Sequence, residues 1–216
     1  MRRGDHRSAP DVDGVELAAV AARDLERACA AADEWGAPLA FGSYDELMAS
    51  DDVDAVYIGT PASLHREWTL AAIDAGKHVL CEKPLAANAD DARTIADAAR
   101  SSDVVVMEAF HWRYHPFVDR MRAVLDGGEL GRIDRSTPRS TSRTGTSLAP
   151  TSAGSWRSAG SDDGSGLLRD PVRAVGGGDD PDVVDATAEC PVADIDGSLG
   201  AELRWPSGWS AGSTRR

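Results

Sequence analysis

The sequence predicts an α/β protein: a doubly wound domain in which helices cover both faces of a parallel sheet. From residue 15 to about residue 135, apolar runs of strand length alternate with segments of helical period. The connections between them are short, and strands that alternate with helices in this way pair in parallel and are buried. With 216 residues, the chain can form one such domain and part of a second.

The residues at the expected helix ends support this order of elements. Asp24 is placed to cap the first helix and Gly36 to end it, and Ser43 with Glu46 has the spacing of a capping box. Strands are predicted over residues 15–21, 39–41, 54–59, 78–81 and 104–109, and helices over residues 24–35, 44–49, 63–75, 90–100 and 116–125.

Residues 136–180 have a different composition from what precedes them. They contain nine Ser, five Thr, eight Gly and five Arg, no Lys and almost no apolar periodicity, which is typical of a disordered linker. Beyond them, residues 182–188 and 198–205 again predict strands, and a Pro-Ser-Gly turn ends the second. We therefore divide the chain into residues 1–14, 15–127 and 128–216.

Charge and cysteine content exclude several classes of function. The formal net charge of -13 argues against a nucleic-acid partner or an anionic membrane surface. No apolar run could span a bilayer and no signal-peptide pattern begins the chain, so we expect a soluble, cytoplasmic protein. Cys29, Cys81 and Cys190 are too widely spaced for a disulfide framework or a metal site, and we expect each to be a small buried side chain.

A doubly wound sheet binds its ligand beyond the carboxyl ends of its strands. The candidate site residues are therefore those that follow each predicted strand. These are Arg23, Thr60 with Pro61, Glu82-Lys83-Pro84, and residues 110–115. Lys83 stands out because Lys77 is the only other lysine in the chain.

Four sequence elements in order carry a resemblance to a known family. They are AARD (residues 21–24), GTPxxxH (59–65), AGKHVLCEKP (75–84) and MEAFHWRYHP (107–116), with weaker matches in GxLGRI (128–133), PDVV (181–184) and WPSG (205–208). The chain resembles the Gfo/Idh/MocA oxidoreductases, and within them the NADP-dependent dihydrodiol and xylose dehydrogenases. The resemblance implies a Rossmann-type domain, followed by part of an α+β substrate domain that pairs the family's subunits into homo-oligomers.

The resemblance assigns the catalytic role to Lys83. The lysine of the family's EKP turn hydrogen-bonds the reacting substrate hydroxyl and lies near the nicotinamide, and Glu82 beside it approaches the nicotinamide ribose. Judged on the local sequence alone, Lys83 could equally be a surface lysine in the turn before a helix.

The same resemblance places other residues along the cofactor. Arg23 favours NADP over NAD because a guanidinium can hold a 2′-phosphate where an acidic residue would accept from the ribose hydroxyls. Thr60 and Pro61 would pack along the cofactor, and His65 would cap or line the same cleft. Trp112 and Arg113 resemble the segment that reaches the pyrophosphate or nicotinamide side. The alternatives are a solvated charge for Arg23, a structural histidine for His65 and a core residue for Trp112.

Two family features are absent from the sequence. There is no G-x-G-x-x-G turn, so the sheet is expected to lack its first strand, and no tyrosine stands in the family's M-D-L-G-C-Y context. In a shifted frame, the codons of residues 162–170 permit Met-Met-Asp-Leu-Gly-Cys-Tyr-Ala. We favour a shifted reading of about residues 136–177 over a natural disordered linker, and a further shift from residue 209.

The sequence as a whole predicts an NADP-dependent dehydrogenase that moves a hydride between nicotinamide and a carbinol carbon of a sugar or cyclic diol. Because the phosphate-binding turn and the tyrosine are absent, we expect this 216-residue chain to bind NADP poorly and to show no measurable turnover. Two alternatives remain open: a non-catalytic nucleotide-binding regulator of the same fold, and a natural fusion of a half-domain to a disordered tail.

Overall fold

A computed structural model describes residues 12–128, 135–136, 181–189, 198–206 and 210–214 of the chain. They fall into two compact units. The first takes in the chain up to Thr60 with Leu64–Cys81 and Ala89–Met107, and the second takes in Pro61–Ser63, Glu82–Asn88 and the chain from Glu108 onward.

Strands and helices alternate from Ala19 to Asp126, as predicted. The strands are β1 (Ala19–Ala21), β2 (Leu39–Phe41), β3 (Ala55–Ile58), β4 (His78–Cys81), β5 (Val106–Glu108), β6 (Arg135–Ser136), β7 (Asp182–Glu189), β8 (Ser198–Arg204) and β9 (Ser210–Thr214). The α-helices are α1 (Leu25–Trp35), α2 (Tyr44–Met48), α3 (His65–Asp74), α4 (Ala89–Arg100) and α5 (Pro116–Asp126), and short 3₁₀ helices span Ala62–Leu64 and His111–Tyr114.

The first five strands form a pair and a trio. β1 pairs in parallel with β2, and β4 lies between β3 and β5 with β3 parallel to it. In the doubly wound strand order 3-2-1-4-5-6, the first strand lies between the second and the fourth. Among the described residues, a pair and a trio match strands 3-2 and 4-5-6 of that order, so the predicted fold class is confirmed.

The first predicted strand is shorter than expected. The apolar run 15–21 predicts seven strand residues, but only Ala19–Ala21 form β1, and Val15 is half exposed. β1 finds its partner in β2, which is itself only three residues long, with Ala19 opposite Leu39. An apolar run becomes a strand only where a neighbouring strand can take up its backbone hydrogen bonds.

The predicted helix caps are confirmed. Asp24 accepts a hydrogen bond from the Arg27 amide at 2.9 Å and caps α1. Gly36 ends that helix at φ 76°, a left-handed conformation that favours glycine. At α2, Ser43 accepts from the Glu46 amide, while the Glu46 carboxylate accepts from the amide of Gly42 rather than from that of the cap residue itself.

One face of the β3–β4–β5 sheet forms the core of the first unit. Val56 and Val79 are buried on this face, where α3 packs on β3 and β4. On the opposite face Tyr57 and Met107 are 47% and 38% exposed. Among the described residues, this opposite face is therefore less buried than the face that α3 covers.

Lys77 anchors the connection between α2 and β3. It follows Gly76, whose φ of 72° closes α3, and only 6% of its surface is exposed. Its ammonium donates to the carbonyl oxygens of Ser50 at 2.6 Å and Val53 at 2.7 Å. The chain's first lysine therefore holds two loops together from inside.

The expectation of three buried cysteines is correct for Cys81 and wrong for Cys29. Cys81 ends β4 with no exposed surface. In α1 the buried positions are Ala28 and Ala32, four residues apart, and Cys29 is rotated away from them toward solvent. Cys190 lies outside the described residues.

The second unit contains a sheet in the order β6-β9-β8-β7. β7, β8 and β9 are antiparallel neighbours, and β6 is parallel to β9. The predicted strands 182–188 and 198–205 are present as β7 and β8, whereas β9 was not predicted because a frame shift was expected there. Most of residues 136–180 and all of 1–11 lie outside the described residues, so the domain limits stay predictions.

Candidate cofactor and catalytic site

The strand ends position most of the candidate residues. β1 leads through Ala22 to Arg23, β3 leads through Gly59 to Thr60, and β4 leads directly to Glu82. The final registered pair of β3 and β4 is Ile58 opposite Cys81, so these two parallel strands end at the same level. This is the edge at which a doubly wound sheet binds its ligand.

In the first unit, His65 fixes the turn that follows β3. Its Nε2 donates to the carbonyl oxygen of Thr60 at 2.7 Å, and only 1% of its surface is exposed. His65 shares the buried face of α3 with Thr69 and Ile73, at helical spacing. The histidine therefore supports the Thr60 backbone from the core, which agrees with the structural alternative for His65.

Thr60 offers a polar atom with no protein partner. Its Oγ1 is buried and has no hydrogen-bond partner among the described residues. A buried hydroxyl without a partner is costly in a folded protein. A ligand that supplied a donor or acceptor at the end of β3 would satisfy it, so this turn fits a bound nucleotide cofactor.

Arg23 and Asp24 differ in what their side chains do. The Asp24 carboxylate caps α1 and lies 4.0 Å from the Arg27 guanidinium, so it is engaged with its own helix. The Arg23 side chain is exposed and has no ion-pair partner in the described part of the chain. At the end of β1, the side chain left to meet a ligand is the arginine.

In the second unit, carboxylates hold the turn that carries Lys83. The Lys83 amide donates to Glu82 Oε2 at 3.0 Å, and the Leu85 amide donates to Glu108 Oε1 at 2.7 Å. Lys83 and Glu82 are both half-buried, and the Lys83–Pro84 peptide bond is cis. Glu82 was expected to approach the nicotinamide ribose; one of its oxygens accepts from the turn itself, and the assignment to the ribose stays a prediction.

The remaining candidates are less defined. Pro61 is exposed and precedes the 3₁₀ helix Ala62–Leu64. Arg113 is exposed in the 3₁₀ helix His111–Tyr114, and its amide donates to the Phe110 carbonyl at 3.0 Å. Trp112 belongs to the same helix, but its side chain lies outside what the structure describes.

The structure groups some candidates and leaves others apart. It brings Thr60 to His65 in one unit and Glu82 to Lys83 in the other. Glu108 was missed by sequence reasoning, although it ends a predicted strand inside the MEAFHWRYHP element. A carboxylate at the carboxyl end of a strand could have singled it out.

Comparison with known proteins tests the resemblance found in the sequence. The model of the Gfo/Idh/MocA family, an oxidoreductase family with an NAD-binding Rossmann fold, matches residues 4–110. The resemblance to this family is thus confirmed over these residues.

Two curated relatives illustrate the match. A D-xylose 1-dehydrogenase (NADP⁺) of Haloferax volcanii is 51% identical over 118 residues, which is 55% of this chain and 36% of that protein. A trans-1,2-dihydrobenzene-1,2-diol dehydrogenase of Bos taurus is 44% identical over 118 residues, 55% of this chain and 35% of that protein. The chain thus spans about a third of the length of these relatives.

Solved structures are similar over nearly all of the chain. A 3-ketoreductase of Actinomadura kijaniata in complex with TDP-benzene and NADP aligns with a TM-score of 0.75 at 30% identity, covering 98% of this chain and 64% of that one. An NAD-binding oxidoreductase of Klebsiella pneumoniae aligns with a TM-score of 0.79 at 29% identity, covering 96% and 60%.

In the described part of the chain, no helix combines the length and apolar character needed to cross a membrane.

Proposed function

We propose that this chain belongs to an NADP-dependent dehydrogenase that oxidises a CH–OH group of a sugar or cyclic diol, or reduces the corresponding carbonyl. The observation that carries the proposal is the Glu82-Lys83-Pro84 turn directly after β4, with its backbone held by two carboxylates. The family match over residues 4–110 and the xylose and dihydrodiol dehydrogenases among its relatives support it. A cytoplasmic location and a homo-oligomeric parent enzyme are parts of the same proposal.

Lys83 would act on the substrate oxygen. Nicotinamide, when bound, accepts the hydride from the carbinol carbon and returns it in the reverse reaction. The Lys83 ammonium would donate a hydrogen bond to the oxygen on that carbon and stabilise its negative charge in the alkoxide form. In the oxidation, the hydroxyl proton would pass to the tyrosine expected in the frame-restored enzyme, which would return it in the reduction. Glu82, one of whose oxygens accepts from the Lys83 amide, would approach the nicotinamide ribose.

The residues after β1 and β3 would hold the cofactor. We assign the 2′-phosphate of NADP to Arg23, because Asp24 is engaged as a helix cap and Arg23 is not paired among the described residues. Thr60 would offer its buried Oγ1 to the cofactor, with His65 fixing its backbone. Pro61, Trp112 and Arg113 would complete the cofactor contacts.

Cofactor preference tests the assignment of Arg23. The purified 216-residue chain is titrated with NADPH and with NADH, and binding is followed by nucleotide fluorescence. We expect weak binding with NADPH preferred, and Arg23→Ala should weaken NADPH binding by about tenfold, the loss of one charge-assisted interaction, without changing NADH binding. Asp24→Asn is the matched control, because asparagine still caps α1 while the charge is removed. Equal affinity for NADH and NADPH in the unsubstituted chain would contradict the assignment.

Turnover tests the substrate class. The source gene is first sequenced through the codons of residues 136–177, and a version with the expected frame restored is assayed with NADP⁺ against aldoses and cyclic diols. Oxidation of one of these classes supports the proposal. Cofactor binding without turnover on any of them would favour the regulatory alternative, and an intact frame would refute the shifted reading.

A further inference from the structure

Glu108 makes a long-range contact with the turn that carries Lys83, and the proposed function assigns Glu108 no role of its own. It is the final residue of β5, and its Oε1 accepts a hydrogen bond from the Leu85 amide at 2.7 Å across 23 residues of sequence. Leu85 stands two positions after Lys83. The Glu108 carboxylate therefore ends at the backbone of the turn that carries the candidate catalytic residue.

Carboxylates accept a hydrogen bond from every backbone N–H between Lys83 and Leu85. The Lys83 amide donates to Glu82 and the Leu85 amide to Glu108, while Pro84 has no N–H to donate. Hydrogen bonds to ionised carboxylates are roughly twice as strong as those between neutral groups. Such a turn has fewer ways to change its backbone conformation than one whose amides point to water.

The two carboxylates contribute differently to the turn. Glu82 is adjacent to Lys83, so its bond moves with the turn and cannot anchor it. Glu108 reaches the turn from another strand, and its carbonyl oxygen accepts from the Phe110 amide at 2.8 Å. Its side chain and its backbone thus connect residues 82–88 to the segment that follows β5.

We propose that Glu108 is a positioning residue for Lys83: by accepting the Leu85 amide, it fixes the turn in the conformation that presents the lysine. The proposal depends on the catalytic role assigned to Lys83 for its meaning. Whether one Glu108 oxygen holds the backbone of the turn can be tested without assuming that role. Glu108 acts through the Leu85 backbone and is not itself assigned to substrate or cofactor.

Three substitutions of Glu108 distinguish the effect of its hydrogen-bond acceptor from the effect of its charge. Glu108→Gln keeps an sp² oxygen at the same reach and removes the charge. Glu108→Asp keeps the charge but shortens the side chain by one methylene, so its oxygen no longer reaches Leu85. Glu108→Ala removes both. Glu67→Ala, at an exposed position on α3, is the matched control for loss of one glutamate.

Amide exchange and lysine resonances report on the turn. Hydrogen exchange at the Leu85 amide is measured by NMR, and the chain is produced with ¹³C-labelled lysine so that Lys77 and Lys83, the only lysines, serve as internal reference and reporter. In Glu108→Ala and Glu108→Asp we expect Leu85 exchange to accelerate on the order of tenfold, the loss of one charge-assisted bond. The Lys83 signal should shift or broaden in these variants while the Lys77 signal stays. Glu108→Gln keeps the acceptor but not the charge, so its Leu85 exchange should lie between that of the unsubstituted chain and that of Glu108→Ala.

Several results would overturn the proposal. Unchanged Leu85 exchange in Glu108→Asp would show that the bond does not hold the turn, and this variant keeps the test open if Glu108→Ala fails to fold. A Glu108→Gln chain that behaves like Glu108→Ala would show that charge, not the acceptor oxygen, matters. Equal changes at Lys77 or in Glu67→Ala would indicate general destabilisation. No cofactor or substrate is present in these measurements, so failure of the proposed function would leave them unaffected.

Discussion

The two ends of β4 carry the two lysines of the chain, and the structure uses them in opposite ways. Lys77 precedes the strand, is 6% exposed, and its ammonium is held by the carbonyl oxygens of Ser50 and Val53. Lys83 follows the strand two residues after Cys81 and is half-buried. Around Lys83, carboxylates hold the backbone amides of the turn instead.

This difference shows what distinguishes a structural lysine from a candidate catalytic one. Rarity does not, because both are rare in this chain. At Lys77 the hydrogen bonds fix the end of the side chain, which is then committed to the fold. At Lys83 they fix the backbone of a turn that lies at the carboxyl end of β4, where a doubly wound sheet binds its ligand. The position at the carboxyl end of β4 and the bonding of the turn together favour chemistry at Lys83.

The largest expected effect is on turnover. In the frame-restored enzyme, Lys83→Met should lower kcat by about a thousandfold, because a cation at the reacting oxygen is lost. NADPH binding should change by no more than about threefold, since the interaction is made chiefly in the transition state. The measurement is steady-state kinetics together with a fluorescence titration of the same protein.

Lys77→Met provides the contrast for that experiment. Assayed at a temperature at which circular dichroism shows it to be folded, it should keep kcat within about threefold of the unsubstituted enzyme. A Lys83→Met enzyme that retained more than about a tenth of its activity would remove the reason to treat the two lysines differently.

The next largest effect is on stability, and here substitution of Lys77 has a larger effect than substitution of Lys83. Lys77→Met should lower the free energy of unfolding by about 3 kcal/mol, because two carbonyl oxygens lose charge-assisted hydrogen bonds in a partly buried site. Lys83→Met should lower it by less than about 1 kcal/mol, as is usual for a side chain outside the core. Urea denaturation of the 216-residue chain measures both. Equal losses would mean that Lys77 is not a structural anchor.

Much of the fold could be predicted from the sequence because its signals are local. Asp24 and Gly36 bound α1, and Ser43 with Glu46 begins α2, through hydrogen bonds that span at most four residues. Such capping interactions can be predicted from a few neighbouring residues in the sequence. The same locality made the turn after β4 recognisable, since Glu82 and Lys83 stand next to each other.

What sequence reasoning missed depends on contacts between distant residues. The bond from Lys77 to Ser50 spans 27 residues and that from Leu85 to Glu108 spans 23, and neither partner pair has a spacing that predicts contact. The length of β1 was also overestimated, because the run 15–21 is apolar enough for a strand but β2 provides only three residues to pair with. These contacts and the length of β1 depend on which residues pair in the folded chain rather than on local secondary-structure propensity.

The smallest effect is on the chemical reactivity of the two side chains, and it tests the comparison most directly. With limiting acetic anhydride, Lys83 in the folded chain should be acylated at least about tenfold faster than Lys77, because a buried ammonium reacts only after local opening. Peptide mass spectrometry measures both sites in one sample. In concentrated urea the two rates should become similar, since the difference belongs to the fold and not to the sequence around each lysine. Equal rates in the folded chain would mean that the Ser50 and Val53 carbonyls do not protect Lys77, and would undermine the assignment of separate roles to the two ends of β4.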